Sequence, residues 1–203
     1  MNNIFMLGIV MVVLLTAGCA GPQDNSAQPG AGHSGVITPA SGGMGFSQAA
    51  PAHIGETIAL TERVNDSGQG YADYSARLTL LEVLRGDAAY EKIRQSYPYN
   101  LINIQQDREF MVVRFKYELT DTSVAGVSRL VNRDSFAICR DGKFDSEDNR
   151  YIIGAMPDFY GRVTKGGSVD GWIAFTVPKD ASWPRIAYGS ANLGSGGIWF
   201  ETH

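Results

Sequence analysis

The stretch EFMVVRFKYELT, residues 109–120, decides the fold class because its apolar and polar side chains alternate. Successive side chains of a β-strand point to opposite faces, so Val113 and Phe115 share one face while Arg114 and Lys116 share the other. A strand with one dry face and one wet face is typical of an antiparallel sheet. The stretch therefore predicts a long strand that packs against a core on one side and meets water on the other.

Shorter strand-like segments lie on both sides of this stretch, separated by turn-forming residues. They are expected at 57–63, 74–84, 135–139, 151–153, 171–178, 185–189 and 198–201. Clear helical periodicity occurs only in RGDAAYEKIRQS, residues 85–96, which predicts one short helix inserted between two strands. About seven or eight short strands with a turn roughly every ten residues predict an all-β, immunoglobulin-like antiparallel β-sandwich.

The segment at 74–84, YSARLTLLEVL, leaves two interpretations open. Leu78 and Leu80 share one face of the predicted strand, whereas Leu81 and Val83 share the other. The strand is either buried on both sides or contains a bulge at which the two faces exchange.

The start of the chain predicts export and a lipid anchor. The apolar run at 4–15 has about a dozen residues, fewer than the ~20 of a membrane-spanning helix, and suits a signal peptide. The following stretch LTAGC, residues 15–19, resembles the lipobox of bacterial lipoproteins. This resemblance implies a signal peptide at 1–18, cleavage before Cys19 and a membrane anchor of acyl chains on its thiol. An ordinary signal peptide, or a short membrane anchor with an incidental cysteine, is the alternative.

Residues 19–52 are dominated by Gly, Ala, Ser, Pro and Gln and have no apolar period. Such a composition predicts a flexible tether, since little apolar surface is available to offset the entropy of ordering. The folded domain is then expected at 53–203. The second cysteine, Cys139, lies in the apolar segment SFAIC and is expected to be a buried structural thiol.

Charge and histidine content argue against several classes of function. The chain has 17 Lys and Arg against 21 Asp and Glu, which is not the basic surface of a nucleic-acid-binding protein. Of three histidines, His33 and His53 lie on or beside the predicted tether and His203 is the last residue. A hydrolytic triad therefore has little histidine to use. We expect a non-catalytic protein without a cofactor.

One acidic cluster is the best candidate for a metal site. The cluster lies in DGKFDSED and consists of Asp141, Asp145, Glu147 and Asp148. Its order does not match the Ca²⁺-binding loop, which needs carboxylates at alternate positions and a central glycine. Asp141-Gly142 is a hairpin-turn signal, so we expect a solvated, charged hairpin and no metal, with a weak Ca²⁺ site as the alternative.

Aromatic residues in predicted loops are the candidates for binding. Tyr and Trp bury large areas at interfaces, and loops often carry the binding residues of a sandwich. The loops YPYN at 97–100 and MPDFYG at 156–161 are rich in aromatics, and another aromatic stands beside Pro184. The predicted binding residues are Tyr97, Tyr99, Phe159, Tyr160 and Trp183.

Several stretches together resemble one family, the DUF4352 or telokin-like group of secreted bacterial lipoproteins with an immunoglobulin-like domain. They are HIGETI at 53–58, LEVLRGDAAY at 81–90, EFMVVRFKYEL at 109–119 and the closing GGSVDGWIAFTVPKDASWPRIAYG at 166–189. The resemblance covers about residues 53–203. It implies an immunoglobulin-like fold and an extracytoplasmic setting but little chemistry, because most members have no assigned activity.

Together these features predict a non-catalytic lipoprotein on the extracytoplasmic face of a cell membrane. The lipid on Cys19 would anchor the chain in the membrane, and the domain would bind a protein or another envelope partner. We expect no nucleic-acid partner. One alternative is an accessory envelope lipoprotein that acts through pairing of an exposed edge strand. A less favoured alternative is a hydrolase that uses two carboxyl groups about 5–9 Å apart.

We expect the mature protein to begin at Cys19 and to carry lipid on its thiol. Mass spectrometry of the purified mature product would measure both features. A mature chain in which this thiol is bare would contradict the anchor.

Overall fold

The computed structural model describes residues 36–39, 43–65, 70–97, 104–144, 155–180, 182–189 and 197–203. Within them the chain forms two packed antiparallel sheets with one helix outside. The strands are β1 (Val36–Pro39), β2 (Thr57–Asn65), β3 (Tyr71–Arg85), β4 (Arg108–Thr122), β5 (Arg129–Val131), β6 (Phe136–Arg140), β7 (Lys143–Phe144), β8 (Gly161–Val163), β9 (Ser168–Pro178), β10 (Arg185–Tyr188) and β11 (Ile198–Glu201), and the helix is α1 (Asp87–Ser96).

The two sheets divide the strands unequally. The first sheet has the order β1-β2-β3-β4-β9 and the second has the order β11-β10-β6-β7, while β5 and β8 form a separate two-stranded ladder. The pairings between these strands are antiparallel. The prediction of an all-β sandwich with one short inserted helix is therefore confirmed for the described residues.

The core lies between the two sheets and is built from alternate residues of their strands. In β4, the residues at 113, 115, 117 and 119 face this core, as the alternation predicts. The ring centroid of Phe115 lies 4.5 Å from that of Phe136 in β6 and 5.2 Å from that of Phe200 in β11. Each such buried side chain contributes about 1.5–3 kcal/mol relative to exposure, so this face of β4 holds the second sheet against the first.

A bulge in β3 decides between the two interpretations of residues 74–84. Leu80 pairs with Phe115 and Glu82 pairs with Arg114, so Leu81 is an extra residue opposite the β4 ladder. Leu80 before the bulge and Val83 after it both contact the main core. The interpretation in which the faces exchange at a bulge is therefore confirmed.

The helix α1 covers one end of the outer face of the first sheet. Its buried Ala89 and Ile93 belong to a second apolar cluster with residues of β4 and β9, among them Phe110, Val112 and Trp172. This cluster explains why Val112 is buried although it lies on the face of β4 that carries Arg114. The wet face of β4 begins where the helix no longer covers it.

The predicted tether at 19–52 requires a correction at its C-terminal part. β1 pairs with β2, and Ile37 belongs to the main core. Ala52 is fully buried, and its backbone bonds to Trp199 and Glu201 along the edge of β11. Composition missed this because edge strands supply unpaired backbone groups to any extended segment, whatever its side chains. The sandwich therefore begins before residue 53. Two further predictions, those for Cys19 and for a strand at 151–153, lie outside the described residues.

A buried ion pair crosses the core between strands of different sheets. Glu62 of β2 and Arg129 of β5 are only 2% and 3% exposed. Arg129 donates from Nε to Oε1 at 3.2 Å and from Nη2 to Oε2 at 3.1 Å. Tyr117 of β4 donates to Oε1 at 2.6 Å, and the hydroxyl of Tyr188 of β10 lies 3.2 Å from both oxygens. The carboxylate thus has partners from three other strands, which offset its burial.

We expect Arg129→Met to lower the free energy of unfolding by about 3–5 kcal/mol, because it leaves the Glu62 carboxylate buried without a counter-charge. Arg114→Met is the matched control. Arg114 makes the same two-bond contact to Asp170, at 2.8 and 2.9 Å, but is 39% exposed, so the expected loss is about 0–1 kcal/mol. Urea unfolding of both variants measures the difference. Equal losses would show that burial of the pair has no special importance.

Two buried tyrosines should make the fold sensitive to alkali. Burial, together with the Glu62 charge, raises the pKa of Tyr117 and of Tyr188 above the ordinary value near 10. Below pH ~10 the two tyrosine hydroxyls are protonated in both the folded and the unfolded protein. Above this pH only the unfolded protein releases their protons, so the free energy of unfolding falls as pH rises. Tyr117→Phe should reduce this slope by about 1.4 kcal/mol per pH unit. Unfolding free energies of this variant and of the unchanged protein, measured above pH 10, test this, and equal slopes would contradict it.

Candidate functional site

A pocket of about 220 Å³ lies on the outer face of the second sheet. Cys139, Arg185 and Glu201 are direct cross-strand partners in β6, β10 and β11, so their side chains share one face. Their neighbours Ile138 and Ile186 point into the main core instead. We call this site the outer-face pocket. Its lining includes Gln48, Cys139, Asp141, Trp183, Arg185 and Glu201.

The hairpin between β6 and β7 forms one wall of the pocket. Asp141 has φ +48° and Gly142 has φ +78°, the two positive angles of a tight two-residue hairpin turn. Arg140 pairs with Lys143 directly across this turn. The hairpin predicted from Asp141-Gly142 is therefore confirmed, and it places the Asp141 carboxylate at the pocket.

Trp183 stands at the rim of the pocket and is 43% exposed. The guanidinium carbon of Arg85 lies 5.1 Å from the centroid of its ring, a cation–π contact. Arg85 is itself held, because it donates from Nε to Glu109 and from Nη2 to the carbonyl oxygen of Pro178 at 3.0 Å. Arg85 is not part of the pocket lining. It therefore supports the indole ring from outside the pocket.

The charges that line the pocket are balanced. Of the described lining residues, Arg140 and Arg185 contribute positive charge, Asp141 and Glu201 contribute negative charge, and His203 adds an imidazole. Glu201 also shares a hydrogen bond with Nδ1 of His53, the residue that follows the buried Ala52. The pocket thus offers both donors and acceptors.

Cys139 lies at the floor of the pocket. It is 2% exposed, and its sulfur accepts a hydrogen bond from Nε2 of Gln48 at 3.4 Å. Its side chain packs with Ala187 and Trp199 on the same face of the sheet. The prediction that this thiol is buried is confirmed.

Phe159 was predicted to be a loop-borne binding residue, and this prediction is wrong. Its side chain is fully buried, with its ring centroid 5.3 Å from that of Phe136. The backbone of its segment bonds to β9, where the amide of Phe159 donates to the carbonyl oxygen of Trp172 at 3.0 Å. A Cβ at Gly171 would lie 2.5 Å from the carbonyl oxygen of Asp158, so this glycine permits the approach. The neighbouring Tyr160 is exposed, as predicted.

The aromatic candidate Tyr97 does not form one patch with Trp183. The Tyr97 hydroxyl lies 3.5 Å from the sulfur of Met156, beside the C-terminal end of α1. Trp183 contacts Arg85, which precedes the N-terminal end of the same helix. Ten helical residues span ~15 Å, so the two sites are separate. Tyr99 lies outside the described residues.

The predicted acidic cluster is only partly described. Asp141 lines the pocket, but Asp145, Glu147 and Asp148 lie outside the described residues. Within the described ranges, no group of three or more His, Cys, Asp or Glu side chains is placed to hold a metal ion. A search of the same ranges for a helix long and apolar enough to cross a bilayer found none.

Sequence reasoning missed the residues that support Trp183. No local pattern marks Arg85, Arg185 or Gln48 as site residues, because each reaches the pocket or its rim through pairing of distant strands.

Comparison with family models, with curated proteins and with solved structures found no match to this chain. The family resemblance therefore stays a prediction.

Trp183 should account for most of the fluorescence that a small quencher can reach. The chain has three tryptophans, and Trp172 and Trp199 are only 4% and 7% exposed. We expect Trp183→Phe to remove most of the acrylamide-quenchable component while the far-ultraviolet circular dichroism is unchanged. An unchanged quenchable fraction would show that Trp183 is shielded.

Proposed function

We propose that this protein is a non-catalytic, membrane-anchored lipoprotein whose domain binds an envelope partner on the extracytoplasmic side. The lipid on Cys19 would hold the chain at the membrane, and the outer-face pocket with Trp183 would contact the partner. The observation that carries the binding role is that an exposed tryptophan is held by a guanidinium that is itself fixed by Glu109 and Pro178.

A ring held in this way is suited to binding. Immobilising a free side chain at an interface costs about 0.5–1.5 kcal/mol, and this cost is smaller when the ring is already restrained. Tryptophan is also among the residues that most often dominate binding energy. The Thr202 hydroxyl donates to the carbonyl oxygen of Pro184 at 2.6 Å, which restrains the segment next to Trp183 as well.

The arrangement of ionisable groups supports a non-catalytic role. Glu62, Arg129, Tyr117 and Tyr188 bind one another in the core and none of them lines the pocket. At the pocket, Glu201 is bound by His53.

The described strand edges favour this role over edge-strand pairing. β1 has four residues and β7 has two, so one outer strand of each sheet is short. The edge of β11 is paired through Ala52, and the eleven-residue outer strand β9 is bridged at Trp172 by Asp158. Pairing with a partner strand needs a long open edge, and three of the four outer strands are short or covered.

The test uses the full-length lipidated protein in detergent to capture solubilised envelope components. We expect Trp183→Ala to weaken capture by at least about tenfold, as for a central aromatic anchor. Tyr71→Ala is the matched control, because Tyr71 is also exposed and lies under an arginine, with Arg63 5.8 Å from its ring. We expect this control to capture as the unchanged protein does.

Equal capture by the Trp183→Ala, Tyr71→Ala and unchanged proteins would refute the binding role of the pocket. Urea unfolding of both variants checks that each remains folded, since both side chains are exposed and neither is part of the core.

A further inference from the structure

We propose that the outer-face pocket binds one ring of an uncharged saccharide, with the pyranose face against Trp183. This inference rests on the proposed binding role and adds the chemical class of the ligand. It follows from the size of the pocket, the balance of its charges and the support of the indole ring.

The size of the pocket restricts the ligand to a small unit. Pockets for drug-sized molecules usually enclose ~300–1,000 Å³, whereas this pocket encloses about 220 Å³. A ligand that fits is a single ring, or one ring of a chain whose other units lie outside. The rim formed by Trp183 and the Asp141-Gly142 turn leaves the pocket open on the surface of the second sheet.

The charges in the pocket favour a neutral, hydroxyl-rich ligand over an anion. Arg185 lies between Cys139 and Glu201 in the ladder, so the nearest cross-strand charge to this guanidinium is a carboxylate. A phosphate or carboxylate ligand would meet Glu201 and Asp141 together with the arginines. A sugar hydroxyl both donates and accepts, so it can use guanidinium, amide and carboxylate groups at once.

The polar groups are also held in place, which hydroxyl recognition requires. A hydroxyl taken from water without a replacement hydrogen bond costs about 1–3 kcal/mol, so the partner groups must already be positioned. Arg185 is on β10, which pairs with β11 on one side and β6 on the other. Glu201 is bound by His53, and Gln48 is bound to Cys139. The donors and acceptors are therefore held in position either by a paired backbone or by a hydrogen bond to a second side chain.

Trp183 supplies the apolar part of the recognition. A pyranose ring has C–H bonds on its faces and hydroxyls around its edge, so it packs flat on an aromatic ring while its edge bonds to polar groups. Arg85 occupies a position against the indole from outside the pocket lining. The cation restrains the ring, and the sugar would pack on the face of the indole that Arg85 does not cover.

Calorimetric titration of the full-length lipidated protein tests this inference. The probes are cellotetraose, chitotetraose and maltotetraose, with tetragalacturonate as the anionic comparison. The detergent must be zwitterionic, because a sugar headgroup would compete. We expect at least one neutral tetrasaccharide to bind more tightly than tetragalacturonate.

Two matched variants separate stacking from general apolar contact. Trp183→Tyr keeps an aromatic face and should retain affinity within about threefold, whereas Trp183→Leu keeps apolar surface only and should lose at least about tenfold. Equal affinities of the two variants would overturn the stacking role.

The failure of this inference is distinct from failure of the binding role. If Trp183→Ala abolishes capture of an envelope partner but no tetrasaccharide binds, the binding role stands and the saccharide inference is wrong. Tighter binding of tetragalacturonate than of every neutral probe would also overturn it. If neither capture nor titration depends on Trp183, both proposals fail.

Discussion

The contact between Glu62 and Arg129 is the constraint on which the rest of the sandwich depends. Glu62 belongs to the first sheet, Arg129 to the two-stranded ladder and Tyr188 to the second sheet, so the contact joins all three. Burial lowers the pKa of Arg129, but the charge and hydrogen bonds of Glu62, together with Tyr188 and Tyr117, outweigh this and the net direction is upward. An ion pair of this kind adds little stability over apolar packing, yet breaking it is costly, and a sheet register that separates its members is disfavoured.

The same packing that buries one face of the second sheet leaves its other face available for a site. Core residues and pocket residues alternate along β10, where Arg185 and Ala187 point outward while Ile186 and Tyr188 point into the core. A one-residue slip of this strand would exchange the two sets. The register that completes the Glu62 contact through Tyr188 therefore also presents Arg185 to the pocket, and fold and site depend on one alignment.

The support of Trp183 links the pocket to the opposite sheet. Arg85 is the last residue of β3, which ends beside Glu109 of β4 and the end of β9. The segment that carries Trp183 leads into β10 of the second sheet. The cation–π contact thus lies where the two sheets meet at one end of the sandwich. A ring placed at that junction is restrained by both layers, which is consistent with a role in recognition.

The sequence alone determined the features that depend on neighbouring residues. Alternation predicted β4, the Asp141-Gly142 pair predicted a hairpin, and SFAIC predicted a buried thiol, because strand period and turn chemistry are local properties. Glu62 carried a signal too, since it stands in phase with the buried Leu60 and Val64 of β2. Only the tertiary structure decided that Arg129, 67 residues away, would meet this carboxylate, that Phe159 would turn inward and that β1 would join the first sheet. These outcomes depend on which distant strands pair and in what register, and no short stretch of the chain contains that information.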